Sequence, residues 1–218
     1  MAKSIKFAVV LSGCGVYDGA EIHESVLSLL AIVKNGGVYE IFAPDIDQMH
    51  VVDHTSGQEM EETRNVFIES ARIARGNIKK MSEFIPDNFD ILFFPGGFGG
   101  AKNLSDYALK GHNLTVNPQI EEAIKGMRAQ QKPIGSICIT PVIMAKVLGD
   151  VKLTIGKDES TAQHVEILGA NHVNTTFGEI VTDRKNKLVT APCYMLDAKI
   201  TDIEKETDLV VKALISLM

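Results

Sequence analysis

The chain has 218 residues, 45% of them hydrophobic and 23% charged, with a formal net charge of −6 at pH 7. That balance excludes a disordered chain, and an acidic excess without clustered Lys or Arg gives no nucleic-acid surface. Three widely spaced cysteines, Cys14, Cys138 and Cys193, exclude a disulfide framework and point to free thiols in a reducing cytoplasm.

The apolar run 5–11 is too short for a membrane span or a signal-peptide core, so no membrane association is expected. It reads instead as a first strand buried on both faces. Ile22, Val26, Leu29, Leu30 and Val33 then recur at helical spacing, up to Gly36-Gly37. Asp18 and Glu21 have capping-box spacing at that helix start, and Glu24 falls opposite the apolar stripe. Residues 38–43 read as a second strand and 63–75 as a helix ending at Gly76. Residues 90–94 read as a third strand, closed by Pro95-Gly96-Gly97. A helix follows over 118–129, a strand over 133–137, a short helix over 141–147 and a strand over 151–155. A helix over 161–168, a hairpin pairing 179–182 with 187–190, and a helix over 203–217 complete the chain. Strands alternating with helices predict an α/β fold, a mostly parallel sheet covered by helices, in one domain spanning 1–218.

The strand 133–137 runs into Cys138, with Ser136 and Thr140 as small residues two positions either side and Pro141 at the start of the next helix. That is the spacing of a nucleophile elbow, where a tight turn tolerates only small neighbours. Thr140 is placed to cap the helix, and the helix N-terminus favours a low-pKa thiolate. The competing explanation is a buried core cysteine, since free cysteine is among the most buried residue types. Glu24 weighs against it: in a doubly wound sheet the loop before Glu24 and the elbow both lie at the carboxyl ends of strands, so the carboxylate can reach the thiol as general base or acid. Glycines at 96, 97, 99 and 100 let backbone N–H groups approach a ligand, which makes the amides of Gly97 and Ile139 candidates for an oxyanion hole, although a tight turn alone explains the glycines too.

Other side chains have competing explanations. Cys14, flanked by Gly13 and Gly15, is either a second reactive thiol or a small residue in a tight turn. Asn103 is, by position, a candidate to polarise a substrate carbonyl. Arg64 anchors a carboxylate product, orients the Cys14 loop or pairs on the surface, whereas Arg72 and Arg75 read as structural, with Glu69 three residues before Arg72 as its ion-pair partner. Cys193 lacks an elbow. His23, His164 and His172 are surface or packing positions unless one assists the thiol. His50 and His54 flank Val51-Val52, whose extended preference separates them by about 13 Å, so no metal is expected.

The combination of Ser12-Gly13-Cys14-Gly15-Val16-Tyr17-Asp18-Gly19, Glu61-Glu62-Thr63-Arg64-Asn65-Val66, Pro95-Gly96-Gly97-Phe98-Gly99, Ala101-Lys102-Asn103-Leu104-Ser105 and Leu153-Thr154-Ile155-Gly156 resembles the ElbB family over essentially the whole chain. Its members carry names for enhancing lycopene or isoprenoid biosynthesis and belong to the ThiJ/PfpI group of class I glutamine amidotransferase-like proteins. The resemblance implies a flavodoxin-like sandwich with helices on both faces, a homodimer, Cys138 as the elbow cysteine and Glu24 as the carboxylate touching it. It also implies a glutathione-independent glyoxalase activity, glyoxal to glycolate, on small-molecule dicarbonyls with no cofactor. Gly156 stands where amidotransferases of this superfamily place a histidine, which argues against a Cys-His triad and glutamine hydrolysis. The alternative is a non-enzymatic redox-sensing module that uses a low-pKa Cys138.

Overall fold

The computed structural model describes residues 4–218. The first strand, β1 (Lys6–Val10), leads to α1 (Ile22–Lys34) and β2 (Val38–Ala43). A small hairpin, β3 (Val52–Asp53) and β4 (Gln58–Glu59), precedes α2 (Val66–Ile73) and the edge strand β5 (Lys79–Lys80). Next come β6 (Ile91–Phe94), the short helices α3 (Phe98–Lys102) and α4 (Tyr107–Lys110), then α5 (Pro118–Ala129). The elbow joins β7 (Ile134–Ile137) to α6 (Pro141–Leu148). Beyond it lie β8 (Lys152–Leu153), α7 (Glu159–Ile167), β9 (Asn171–His172), β10 (Val181–Asp183), β11 (Leu188–Ala191) and α8 (Ile200–Ser216).

Seven strands form one sheet in the order β10-β11-β7-β6-β1-β2-β5, parallel throughout except for β10 against β11. The period-2 alternation of a strand splits each central strand between two cores. Ala8 and Val10 of β1 and Leu92 and Phe94 of β6 face one core, with Ile120 and Ile124 of α5 and Val142 and Met144 of α6. Phe7, Val9, Ile91 and Phe93 face the other, with Leu29 and Ile32 of α1 and Val210 and Leu214 of α8. Helices therefore cover both faces, the expected sandwich.

Four local expectations are corrected. The strand expected over 151–155 shrinks to β8 and pairs with β9 outside the main sheet. Side chains claim its amides: Lys152 N donates to Asp183 Oδ2 and Thr154 N to Thr190 Oγ1, so no backbone ladder to the sheet forms there. The helix expected over 63–75 begins only at Val66, because Asn65 Oδ1 accepts the amide of Ile68 and fixes the N-cap. Helix α1 is turned relative to its apolar stripe. Ile22, Val26, Leu30 and Val33 are 43–57% exposed, while Glu24, Ser25 and Ser28 are buried with Leu29, Ala31 and Ile32. The start of α1 differs as well: Glu21, not Asp18, is the N-cap and accepts the amide of Glu24 at 2.6 Å. Asp18 instead accepts the amide of Val52 at 2.7 Å.

Candidate active site

The parallel strands β1, β6, β7 and β11 end on one edge, where the loop before α1, the glycine loop after β6, the elbow and the segment after β11 meet. Cys138 has φ of 62°, a left-handed conformation that a side chain adopts only under constraint. The constraints are visible: Cys138 N donates to Ala191 O at 2.9 Å, and Thr140 Oγ1 donates to Ile137 O at 2.8 Å while lying 2.8 Å from Ser136 Oγ. Thr140 thus ties the turn rather than capping α6, which starts without a side-chain cap. The small residues around the elbow serve as internal braces.

Glu24 is fully buried. Its Oε2 accepts the amide of Gly96 at 3.0 Å and its Oε1 the amide of Tyr194 at 3.0 Å, so the carboxyl is clamped between the loops after β6 and β11. It also hydrogen-bonds the thiol of Cys138. A Cβ at residue 96 would stand 2.3 Å from both Cys138 Cβ and Glu24 Oε2, so only glycine lets thiol and carboxyl meet.

Burial pushes the Glu24 carboxyl up to about 8, against the opposing amide of Tyr194 and with help from the charge of Glu21. Burial, then the charge of Glu24, also push the Cys138 thiol well above its ordinary value, opposed by the amides of Gly97 and Ile139, which hydrogen-bond the sulfur. The expectation of a low-pKa Cys138 is therefore corrected: α6 begins three residues beyond the thiol, and desolvation outweighs its N-terminal charge. Burial thus biases both groups of the pair toward their protonated forms. The direction of this shift does not favour a redox sensor that depends on a resting thiolate.

A cavity of about 410 Å3 opens over Cys138, lined by Val16, Phe98, Ala101 and Ile139 with Tyr107, Asp158, Tyr194 and others. Gly97 and Ile139 line it as well, so their amides sit at the sulfur and beside the reacting space. The remaining expected contacts are not brought to it. Asn103 is buried with its amide fully engaged: Nδ2 donates to Ser12 O and Asp18 O, each at 2.8 Å, and Oδ1 accepts the amide of Met49 at 3.0 Å. Arg64 pairs with Glu62 and Glu69 and does not line the cavity. Cys14 lies half-buried beside Glu69, Arg72 and Asp18, and does not line the cavity.

No histidine takes the place beside the thiol among the described residues. His23 Nδ1 is 2.9 Å from Tyr194 Oη, and His164 Nδ1 is 2.9 Å from Tyr107 Oη, so neither ring is simply solvated. His172, half-buried, accepts the amide of Ile155. Gly156 has φ of 95°, and a Cβ there would lie 3.2 Å from Pro192 and Leu196. His54 accepts the amide of Tyr17, with its other nitrogen toward Val52 O.

Sequence reasoning missed Tyr194, Tyr107, Phe98 and Asp158. Tyr194 carried a usable signal, since it follows Ala191-Pro192 at the carboxyl end of a strand. Phe98, Tyr107 and Asp158 sit on short helices or a cap whose three-dimensional meeting no local pattern announces. Cys193, also at positive φ, is buried with its amide donating to Glu206 Oε2 at 2.8 Å.

No family model matches the chain. It is 44% identical to the rat ES1 protein homolog, mitochondrial, over 97% of this chain and 84% of that protein. It is equally 44% identical to the human glutamine amidotransferase-like class 1 domain-containing protein 3, mitochondrial, over 97% and 83%. The compartment in both names differs from the cytoplasm expected from the cysteines. The crystal structure of an isoprenoid biosynthesis protein with amidotransferase-like domain from Ehrlichia chaffeensis is 31% identical, with a TM-score of 0.91 over 98% of this chain and all of that one. A glyoxalase III from Candida albicans, 15% identical with a TM-score of 0.65 over 98% of this chain and 97% of that one, shares the fold. At such identity and coverage, the chain belongs to the ES1 family of glutamine amidotransferase-like class 1 domain proteins.

Proposed function

We propose that this protein is a cysteine-dependent, glutathione-independent enzyme converting small dicarbonyls such as glyoxal to 2-hydroxy acids. The observation that carries this is the fully buried Glu24 carboxyl hydrogen-bonded to the Cys138 thiol, beneath a cavity that both the elbow and the glycine loop line. A thiol and a carboxyl of raised pKa, with no imidazole at hand, suit proton shuttling on carbon better than amide hydrolysis.

The chemistry balances without an outside oxidant. In the fraction of molecules where Glu24 is ionised, its carboxylate takes the thiol proton as sulfur bonds to an aldehyde carbon, and that proton passes to the aldehyde oxygen to give a hemithioacetal. Glu24 then removes the hydrogen from this carbon. The electron pair forms an enediolate with the neighbouring carbonyl, the proton of the first carbon's hydroxyl passes to the second carbon's oxygen, and the carboxyl returns its proton to the second carbon. One carbon is thereby oxidised to a thioester and the other reduced to an alcohol. Water adds to the thioester, the carbon–sulfur bond breaks, and the thiol is restored with release of the hydroxy acid. Amides of Gly97 and Ile139 stabilise the sulfur and the enediolate oxygen as charge develops.

The test is glycolate formation from glyoxal by the purified protein, Cys138→Ala and Glu24→Gln. Steady turnover in the wild type, abolished in Cys138→Ala and lowered about 100-fold or more in Glu24→Gln, is expected. Equal turnover in either variant, or none in the wild type, refutes the assignment.

A further inference from the structure

The cavity over Cys138 is larger and less polar than glyoxal requires. It encloses about 410 Å3, whereas glyoxal fills roughly the space of two waters, ~60 Å3 at ~30 Å3 each. Six apolar side chains (Val16, Phe98, Ala101, Ala108, Ile139 and Met195) form most of its wall, and Phe98 stands half-exposed at the mouth. A dicarbonyl with no hydrocarbon portion would leave these surfaces in contact with water and gain nothing from them.

The charge in the wall is one-sided. Among the described lining residues, Asp158 is the one with a formal charge. Its Oδ1 accepts the amide of Thr161 at 2.8 Å as the N-cap of α7, and hydrogen bonds from Thr161 hold its carboxyl below the usual range, so it is an anion at neutral pH. No Lys or Arg lines the space to offset it: the basic ring acting on Asp158 is that of His164, which lies against Tyr107 outside the lining, and Arg64, one candidate to anchor a carboxylate, is engaged elsewhere by Glu62 and Glu69. The hydroxyl of Tyr107 on the same wall lies 2.9 Å from His164 Nδ1.

Resting on the dicarbonyl assignment above, we propose that the preferred substrate is a neutral α-oxoaldehyde bearing an apolar group the size of an aromatic ring, and that Asp158 is a specificity residue excluding substrates with a second, anionic end. The apolar wall takes the hydrocarbon portion while Cys138 meets the aldehyde. The hydroxy acid product, now an anion, faces Asp158 and the ionised fraction of Glu24, which favours its release.

The test compares kcat/KM for glyoxal, phenylglyoxal and 4-carboxyphenylglyoxal with the wild type and Asp158→Asn. Asparagine keeps a side-chain oxygen for the Thr161 amide, so α7 retains its cap. Phenylglyoxal is expected to exceed glyoxal at least tenfold in the wild type. The carboxylate is expected to cost at least tenfold there, a penalty shrinking threefold or more in Asp158→Asn. Glyoxal matching phenylglyoxal, or a carboxylate penalty untouched by the substitution, overturns the proposal. Absence of turnover with all three compounds refutes the dicarbonyl assignment instead. The shape and charge of the cavity are then read by protection of Cys138 from iodoacetamide: neutral mandelamide must protect at lower concentration than mandelate or glycolamide, and equal protection overturns the specificity claim.

Discussion

A carboxyl with no exposed surface is expensive to ionise, and at Glu24 the expense falls on the folded state alone. Its pKa of about 8 in the fold stands above the 4.5 of an unburied glutamate. Between those values the folded chain holds a proton that the unfolded chain has lost, so stability falls as pH rises from about 4.5 to about 8. In Glu24→Gln the group cannot ionise. Urea unfolding at pH 5, 6.5 and 8 should therefore show the wild type losing stability relative to Glu24→Gln across the series; parallel curves would contradict a buried neutral carboxyl. Cys138 and Glu24 themselves were legible in the sequence, one from the elbow spacing and the other from its place beyond the first strand. The protonation of the pair was not, because desolvation depends on what the loops bearing Gly96 and Tyr194 cover.

At the scale of elements, the rotation of α1 is set by polar contacts rather than by its hydrophobic stripe. The amides of Gly96 and Tyr194 fix Glu24 inward, and the small Ser25 and Ser28 let the helix pack closely on that side. Periodicity announced a helix here but pointed to the wrong face, since a three-dimensional clamp on one residue outweighs an apolar stripe that finds no core. The loops behave in the same way. Asn103, at the end of α3, joins three backbone groups from the loops around Ser12, Asp18 and Met49. Removing it leaves buried groups unpaired, so Asn103→Ala should lower stability by about 2–3 kcal/mol in chemical denaturation, with Asn103→Asp restoring less than half of that because it lacks the donor. An unchanged denaturation midpoint with a selective loss of kcat would return Asn103 to the role of a substrate contact. Its residue type gave no hint of this: an asparagine near a glycine loop reads equally well as a ligand group or as a brace.

For the whole molecule, the alternation of strands and helices was enough to predict the parallel sheet and its two covered faces, because buried central strands are apolar on both sides and each helix must cover one of them. The short edge strand β5 and the β3–β4 hairpin were not legible, being two residues long and unmarked by any run. The fold leaves Ile22, Val26, Leu30 and Val33 outward along three turns of α1, an apolar strip of the kind a partner covers. The homodimer implied by the family resemblance is proposed to bury this strip against a second copy, whose identical strip meets it across a twofold axis. Val26→Glu, at an exposed position, should leave the monomer fold intact while shifting sedimentation from dimer to monomer. A wild type that sediments as a monomer, or a variant that remains dimeric, would exclude the strip as the contact.

The most direct test of the central claim, that Cys138 and Glu24 act as one proton-sharing unit, is the pH dependence of kcat/KM for glyoxal in the wild type and Glu24→Gln. Because Glu24 must lose its proton to take that of the thiol, the wild-type value should rise through about pH 8 and level off above it. The residual activity of Glu24→Gln should lack that levelling near pH 8 and follow the ionisation of the Cys138 thiol alone. A wild-type profile flat across pH 8, or the same levelling in the glutamine variant, would contradict it.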